Sequence, residues 1–186
     1  ICACFGLRDI PYVFTKMFRP LIKHWRACGM RVVQFLDDGF GCFRNQTEAQ
    51  LASVHIREDL LRAGAIWSIK KCQWVPVQRL EWLGIEWDTR EGSMKIKERR
   101  VNKVLDFCKD LEDKDEVKVK VLASFVGQVI SFMPVVGDLA KLHSKFCQMK
   151  VAEAPSWWSR VGIDEEVRDE IIFWKENLIS LNKRFM

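Results

Sequence analysis

Asp37 and Asp38 stand side by side in Phe35-Leu36-Asp37-Asp38-Gly39, between the runs Arg31-Val32-Val33-Gln34 and Phe40-Gly41-Cys42-Phe43. Adjacent carboxylates repel, so a metal, a cation or a function has to offset the second charge. Carboxylate oxygens are the hard donors that Mg²⁺ prefers. The flanking runs are β-prone, and an Asp-Gly step accepts the positive φ of a tight turn, so a hairpin tipped by the two acids is expected. Neighbouring side chains on a strand point to opposite faces, so both acids can serve one metal only if the turn swings one of them round; Asp37 is expected as the metal-facing acid and Asp38 as its support. Asp-Asp-Gly is also ordinary turn chemistry, with both carboxylates simply solvated.

The other reactive side chains carry less. Cys2, Cys4, Cys28, Cys42, Cys72, Cys108 and Cys147 are scattered with no Cys-x-x-Cys pair. Such a set reads as reduced intracellular thiols, not as a disulfide framework or a zinc site. Cys2-x-Cys4 with a distant histidine is too weak for a ligand set, and His24, His55 and His143 are expected as partly exposed helix-face residues. The net charge of +5 fits a nucleic-acid partner without requiring one. From Ile10 to Leu36 there is no acid, while Lys16, Arg19, Lys23, Arg26 and Arg31 are basic. That run could track a phosphate backbone towards the acidic tip or form a solvated helix face, and charge alone leaves both open.

The positioning elements follow from period and punctuation. Pro11 can open a helix and Gly29 can close it, with Val13, Phe14, Met17, Phe18, Leu21, Ile22 and Trp25 at helical spacing. Pro20 is expected to kink or split it. Thr47-Glu48-Ala49-Gln50 resembles a capping box, opening a second helix that runs to Arg62 and ends at Gly64. From Ile66 to Lys97 the period shortens, predicting short antiparallel strands with a turn over Asp88 to Ser93. After Glu98 the pattern is helical: Val101, Val104, Leu105, Phe107, Cys108 and Leu111 on one face, a polar connector at 112–116, helices over 117–132 and 139–149, a linker at 155–158, and a last amphipathic helix over 165–181. The fold class is α+β, with an all-helical second half. No apolar stretch approaches the ~20 residues that span a bilayer. The start Ile1-Cys2-Ala3-Cys4 does not read as a signal peptide, and Phe5-Gly6-Leu7 reads as the interior of an element, so a fragment of an intracellular (cytoplasmic or nuclear) protein is expected.

These blocks, in this order, resemble the C-terminal part of a reverse transcriptase of a retroelement, nearest the gypsy-like and DIRS-like elements. Cys4-Phe5-Gly6-Leu7 with Pro11-Tyr12-Val13-Phe14-Thr15-Lys16 resembles the template-contacting block, and Phe35-Leu36-Asp37-Asp38 the catalytic aromatic-x-Asp-Asp hairpin. Lys71-Cys72 before Pro76 resembles the block with a lysine near the incoming triphosphate. Leu80-Glu81-Trp82-Leu83-Gly84 resembles the primer-grip hairpin, and Leu122-Ala123-Ser124-Phe125-Val126-Gly127-Gln128 the helical thumb. Trp174 to Arg184 resembles the helix ahead of an RNase H domain. There are departures: Cys4 stands where Pro is common, Arg8-Asp9-Ile10 where small residues are common, Ser68 where Asn is frequent and Cys72 where Ser is. The family's other catalytic aspartate lies upstream of the template block.

The resemblance implies a polymerase palm over 1–97, a helical thumb over 98–151, and a linker and helix over 152–186. It implies two Mg²⁺ (or Mn²⁺) ions and nucleotidyl transfer onto a primer 3′-hydroxyl, with an RNA or DNA template, a primer and deoxynucleoside triphosphates as partners and no membrane. Asp37 and Asp38 would hold metal, Lys71 would neutralise or protonate the leaving phosphates, and Phe5, Gly6 and Lys16 would contact template or nucleotide. Trp82, Leu83 and Gly84 would place the primer end. Lys118, Lys120, Lys141 and Lys145 would meet duplex phosphates, fixing position without reading bases. Without the upstream aspartate the fragment is expected to be inactive alone. Two rivals stand beside this reading: a non-catalytic nucleic-acid-binding remnant, favoured by the bulk and charge of Arg8 and Asp9, and an interaction protein with a metal-free turn.

Overall fold

Pro11 near the head and Gly29 past the tail bound the first helix, α1 (Ile10–Ala27). Gly29 takes φ +82°, its N–H bonds the Arg26 carbonyl, and the Met30 N–H bonds that of Trp25, which is a Schellman stop. The computed structural model describes residues 7–186, an α+β chain of two compact units that divide between Val77 and Gln78. Of the two outcomes expected at Pro20, a kink or a split, the split does not occur: α1 is continuous through it. Its missing N–H frees the Lys16 carbonyl, which lies on an exposed stretch where water can serve it.

The rest of the first unit is a hairpin and a helix. Strands β1 (Val32–Phe35) and β2 (Asp38–Gly41) pair antiparallel. The cap of helix α2 (Gln46–Arg62) lies two residues before the Thr47 of the expected box. Asn45 is the cap: its Oδ1 accepts the Glu48 N–H at 2.8 Å, and Glu48 reaches back to the Arg44 N–H. Gly64 closes α2 by the same Schellman bonds. The strands expected between Ile66 and Gln78 do not form; Ile66 and Ile69 are exposed, and no partner strand is at hand. Instead Trp74 sits against α2, where its carbonyl accepts the Ser53 hydroxyl at 2.7 Å, and Trp67 packs edge-on to it. Among the described residues of this unit only Trp25, Val32 and Ala52 are buried apolar side chains.

The second unit holds the main core. Strands β3 (Arg79–Trp82), β4 (Ile85–Asp88) and β5 (Ser93–Ile96) form an antiparallel meander, and β8 (Arg184–Phe185) adds to its β5 edge. Helix α3 (Glu98–Glu112) buries Val101, Val104, Cys108 and Leu111, the stripe its spacing predicts. The expected helix over 117–132 is shorter. Val117 belongs to β6 (Glu116–Lys118), which pairs with β7 (Arg160–Gly162), so α4 runs Val119–Ile130. The expected helix over 139–149 is broken into α6 (Leu139–Leu142) and α7 (Lys145–Glu153), after the short α5 (Met133–Val136).

Glu170 explains the start of α7. It projects from α8 (Glu165–Leu181), is buried, and accepts the Phe146 and Cys147 N–H groups, each at 2.9 Å. A carboxylate from another helix thus satisfies two of the orphan donors at this N-terminus. Trp174, Phe125, Phe132, Leu111 and Leu122 fill the core between α3, α4 and α8. The terminal helix stops at Leu181 and does not extend to Arg184. Asn182 turns its side-chain amide onto β5, accepting from the Ile96 N–H at 2.7 Å and donating to the Ile96 carbonyl at 3.0 Å, and the chain continues as β8. Among the described residues no helix is long and apolar enough to cross a membrane.

Candidate functional site

The acidic hairpin turns one residue pair earlier than an Asp38-Gly39 turn would require. Phe35 opposes Asp38 and Gln34 opposes Gly39, so the loop is Leu36-Asp37 while Asp38 and Gly39 lie in β2. The positive φ falls on Leu36, at +52°. For a leucine that region costs about 1–2 kcal/mol. The Gln34 amide donates to the Leu36 carbonyl at 2.6 Å and closes the tip. Asp37 and Asp38 are both exposed, and neither carboxylate has an ion-pair or hydrogen-bond partner among the described residues. As donors they fit Mg²⁺ in kind: hard carboxylate oxygens, open to solvent, with no lysine or arginine spending their charge. No third His, Cys, Asp or Glu among the described residues completes a ligand group with them.

The other expected residues of this unit are dispersed over its surface. Lys71 is exposed in a turn held by its own N–H on the Ser68 carbonyl at 3.1 Å, and makes no ion pair among the described residues. The Lys16 ammonium lies over the Tyr12 ring at 5.1 Å from its centroid. Arg8 and Asp9 are exposed, and Asp9 occupies the cap position of α1 without a side-chain capping bond. Phe5 and Gly6 lie outside the described residues.

In the second unit, Leu83 and Gly84 form the turn of the β3–β4 hairpin at φ +51° and +75°, the pair of left-handed residues a type I′ turn needs. Arg100 of α3 seats this turn: Nη1 donates to the Leu83 and Gly84 carbonyls at 3.2 and 3.3 Å, and Nη2 to Ser131 Oγ at 2.5 Å. A Cβ on Gly84 would clash with Arg100 Nη1. Trp82 is half-buried and Leu83 exposed. At the other end of the hairpin, Arg79 donates Nε and Nη2 to the buried Asp88 at 2.9 and 2.7 Å. That pair, with the Glu91 and Arg90 N–H groups, holds the Asp88 carboxyl below the usual carboxylate range. Lys118 and Lys120 flank the start of α4, where Lys120 covers the Trp158 ring at 5.1 Å, while Lys141 and Lys145 are exposed on α6 and α7.

Two features were not anticipated from sequence. Glu170 gave no signal, because a buried glutamate in an amphipathic helix looks like any other. His24 and His55, read separately as helix-face residues, stack at 5.9 Å between ring centroids. The spacings His24-x-x-x-Cys28 and His55-x-x-x-Asp59 were the available clue, since residues four apart share a helix face. No protein-family model matches the chain, and no curated protein matches it.

Proposed function

We propose that this chain is the C-terminal palm and the helical thumb of a retroelement RNA-directed DNA polymerase. The observation that carries the reading is the Asp37-Asp38 tip: two uncompensated carboxylates presented by a two-residue turn whose first residue, Leu36, holds a strained φ of +52°. Strain of this kind persists where it is over-determined, and it concentrates at functional sites. The Leu83-Gly84 hairpin and the helices that follow it stand in the order that the family's primer grip and thumb would require.

Divalent ions would supply activation of the primer hydroxyl and stabilisation of the departing pyrophosphate. Asp37 would hold metal from the turn, Asp38 would support it from β2, and a further carboxylate from outside the described residues would complete the site. Lys71 would place its ammonium against the leaving phosphates. Lys118, Lys120, Lys141 and Lys145 would neutralise backbone phosphates of the duplex without reading its sequence.

The test uses the polypeptide extended upstream to carry the remaining acid. Asp37→Asn keeps the side chain's size and removes its charge, so primer extension is lost while primer–template binding stays near the parent value. Lys71→Ala slows nucleotide addition by a smaller factor, on the order of 10²–10⁴. Activity within tenfold of the parent in Asp37→Asn would refute the catalytic reading. The alternative is a non-catalytic nucleic-acid-binding remnant, favoured by the charge and bulk of Arg8 and Asp9. It would bind primer–template with or without Asp37 and extend neither.

A further inference from the structure

We propose that His24, Cys28, His55 and Asp59 form a site for a borderline-soft divalent metal, Zn²⁺, which staples α1 to α2. The site is separate from the acidic hairpin and does not rest on the polymerase reading. His24 lies in the last turn of α1 and Cys28, four residues on, is its C-cap, while His55 and Asp59 are four apart on α2, so each helix brings one i,i+4 pair to the site. One ligand atom from each of His24, Cys28 and His55 lies within 4.8 Å of the others. Cys28 Sγ is 3.9 Å from His24 Nε2, and Asp59 Oδ2 lies 3.7 Å from His24 Nε2 and 3.2 Å from His55 Nε2. Zinc bond lengths and a tetrahedral angle place ligand atoms about 3.3–3.6 Å apart, so the atoms of His24, Cys28 and His55 have to close by up to about 1.5 Å. Asp59, which lies outside that three-residue group, has to swing towards Cys28 to join them.

Two independent details point at the same spot. His55 Nε2 is buried and makes no hydrogen bond, because its 3.2 Å approach to Asp59 lacks hydrogen-bond geometry. A buried ring nitrogen left without a bond is costly unless something else uses it. Asp59 in turn is oriented by the Trp25 indole N–H, which donates to Oδ2 at 2.9 Å. That arrangement is the outer-shell support that ligating carboxylates characteristically have.

The chemistry selects the metal. Two imidazoles and a thiolate suit zinc, whereas Mg²⁺ takes oxygen ligands. Cys28 would bind as the thiolate, releasing its proton to solvent, and Asp59 would be the fourth ligand. The structural use is plain, since Trp25, Val32 and Ala52 are the only buried apolar side chains among the described residues of this unit. Small cores of this kind are commonly completed by a metal, whose binding energy becomes folding energy.

Titration of the metal-free, reduced chain with Co²⁺, followed by Zn²⁺, tests this. The expected result is saturation at one ion per chain, with a thiolate-to-cobalt charge-transfer band in the near ultraviolet and the strong visible bands of a tetrahedral site. Zn²⁺ should abolish both, and excess Mg²⁺ should not. Cys28→Ser should remove the charge-transfer band while the far-ultraviolet circular dichroism stays native. Asp59→Asn should keep the band and weaken Co²⁺ binding about 10–100-fold. His55→Gln, chosen in case His55→Ala does not fold, should weaken it further. Failure to saturate, saturation without the charge-transfer band, or a band that survives Cys28→Ser would each overturn the proposal.

Discussion

Replacing Glu170 by glutamine is nearly isosteric, yet it should destabilise the second unit substantially. The carboxylate accepts two backbone N–H groups, from Phe146 and Cys147, each at 2.9 Å, and the Cys147 bond is buried. A glutamine keeps one acceptor oxygen and turns an NH₂ towards the other N–H, so one donor faces another donor. Leaving one buried N–H unsatisfied costs about 1–3 kcal/mol. Glu170→Ala loses both bonds. Phe146 is partly exposed, so water can recover some of its share, and we expect about 2–4 kcal/mol in total for alanine. Asp169 is exposed on the same helix, and Asp169→Asn should stay within about 0.5 kcal/mol of the parent. Urea denaturation followed by tryptophan fluorescence reads this, with Trp174, which is fully buried, among the reporters in the second unit. With an m-value of about 2 kcal/mol/M, Glu170→Ala should lower the midpoint by roughly 1–2 M. If Glu170→Gln matched Asp169→Asn, the carboxylate would not be what starts α7, and the break after Leu142 would need another cause.

The β3–β4 turn gives a second test: Gly84→Ala puts a Cβ at φ +75° and onto Arg100, and should cost about 1–2 kcal/mol for the backbone alone plus the loss of the Arg100 bonds, read as a lower urea midpoint. Asp88 is held below its ordinary range by Arg79, so its contribution should be complete at neutral pH, begin to fade below the unfolded value of about 3.9, and vanish as pH falls through the lower folded value. The stability gap between parent and Asp88→Asn should therefore close in acid, and an unchanged gap at pH 2, at the end of a urea series from pH 7, would refute it. Burial pushes the Cys108 thiol up to about 12 and raises that of Cys147 as well, with the Glu170 carboxylate adding to the latter. Alkylation of the metal-free native chain followed by mass spectrometry should label exposed Cys28 and Cys42 and spare Cys108 and Cys147 until urea is added. On the nucleic-acid reading, Lys118→Ala should weaken primer–template binding and flatten its dependence on salt by about one phosphate contact, as a fluorescence-anisotropy titration at several salt concentrations would show.

Features fixed by neighbours in the chain are legible in the sequence alone. Gly29 and Gly64 end their helices because only glycine takes the left-handed stop without strain, and the 3.6-residue period of Val101, Val104, Cys108 and Leu111 announces α3. The Asp88–Ser93 turn and the span of α8 are equally local. The acidic pair is visible as a hairpin tip, although the turn itself falls on Leu36 because strand register, and not residue preference, sets the loop.

What only the tertiary structure decided involves partners distant in sequence. Ile66, Ile69 and Val75 carry strand-like residues but find no strand to pair with, whereas Val117 finds Val161 and leaves the helix its spacing suggested. Glu170 cuts α7 from α6 across 23 residues, and Asn182 ends α8 by bonding Ile96 across 86. His24 and Cys28 meet His55 and Asp59 only because α1 and α2 bring two ordinary i,i+4 pairs face to face. Local sequence sets backbone preferences worth tenths to a few kcal/mol. Burial and hydrogen bonding between remote segments are of the same size or larger, and where the two disagree in this chain the remote contacts win.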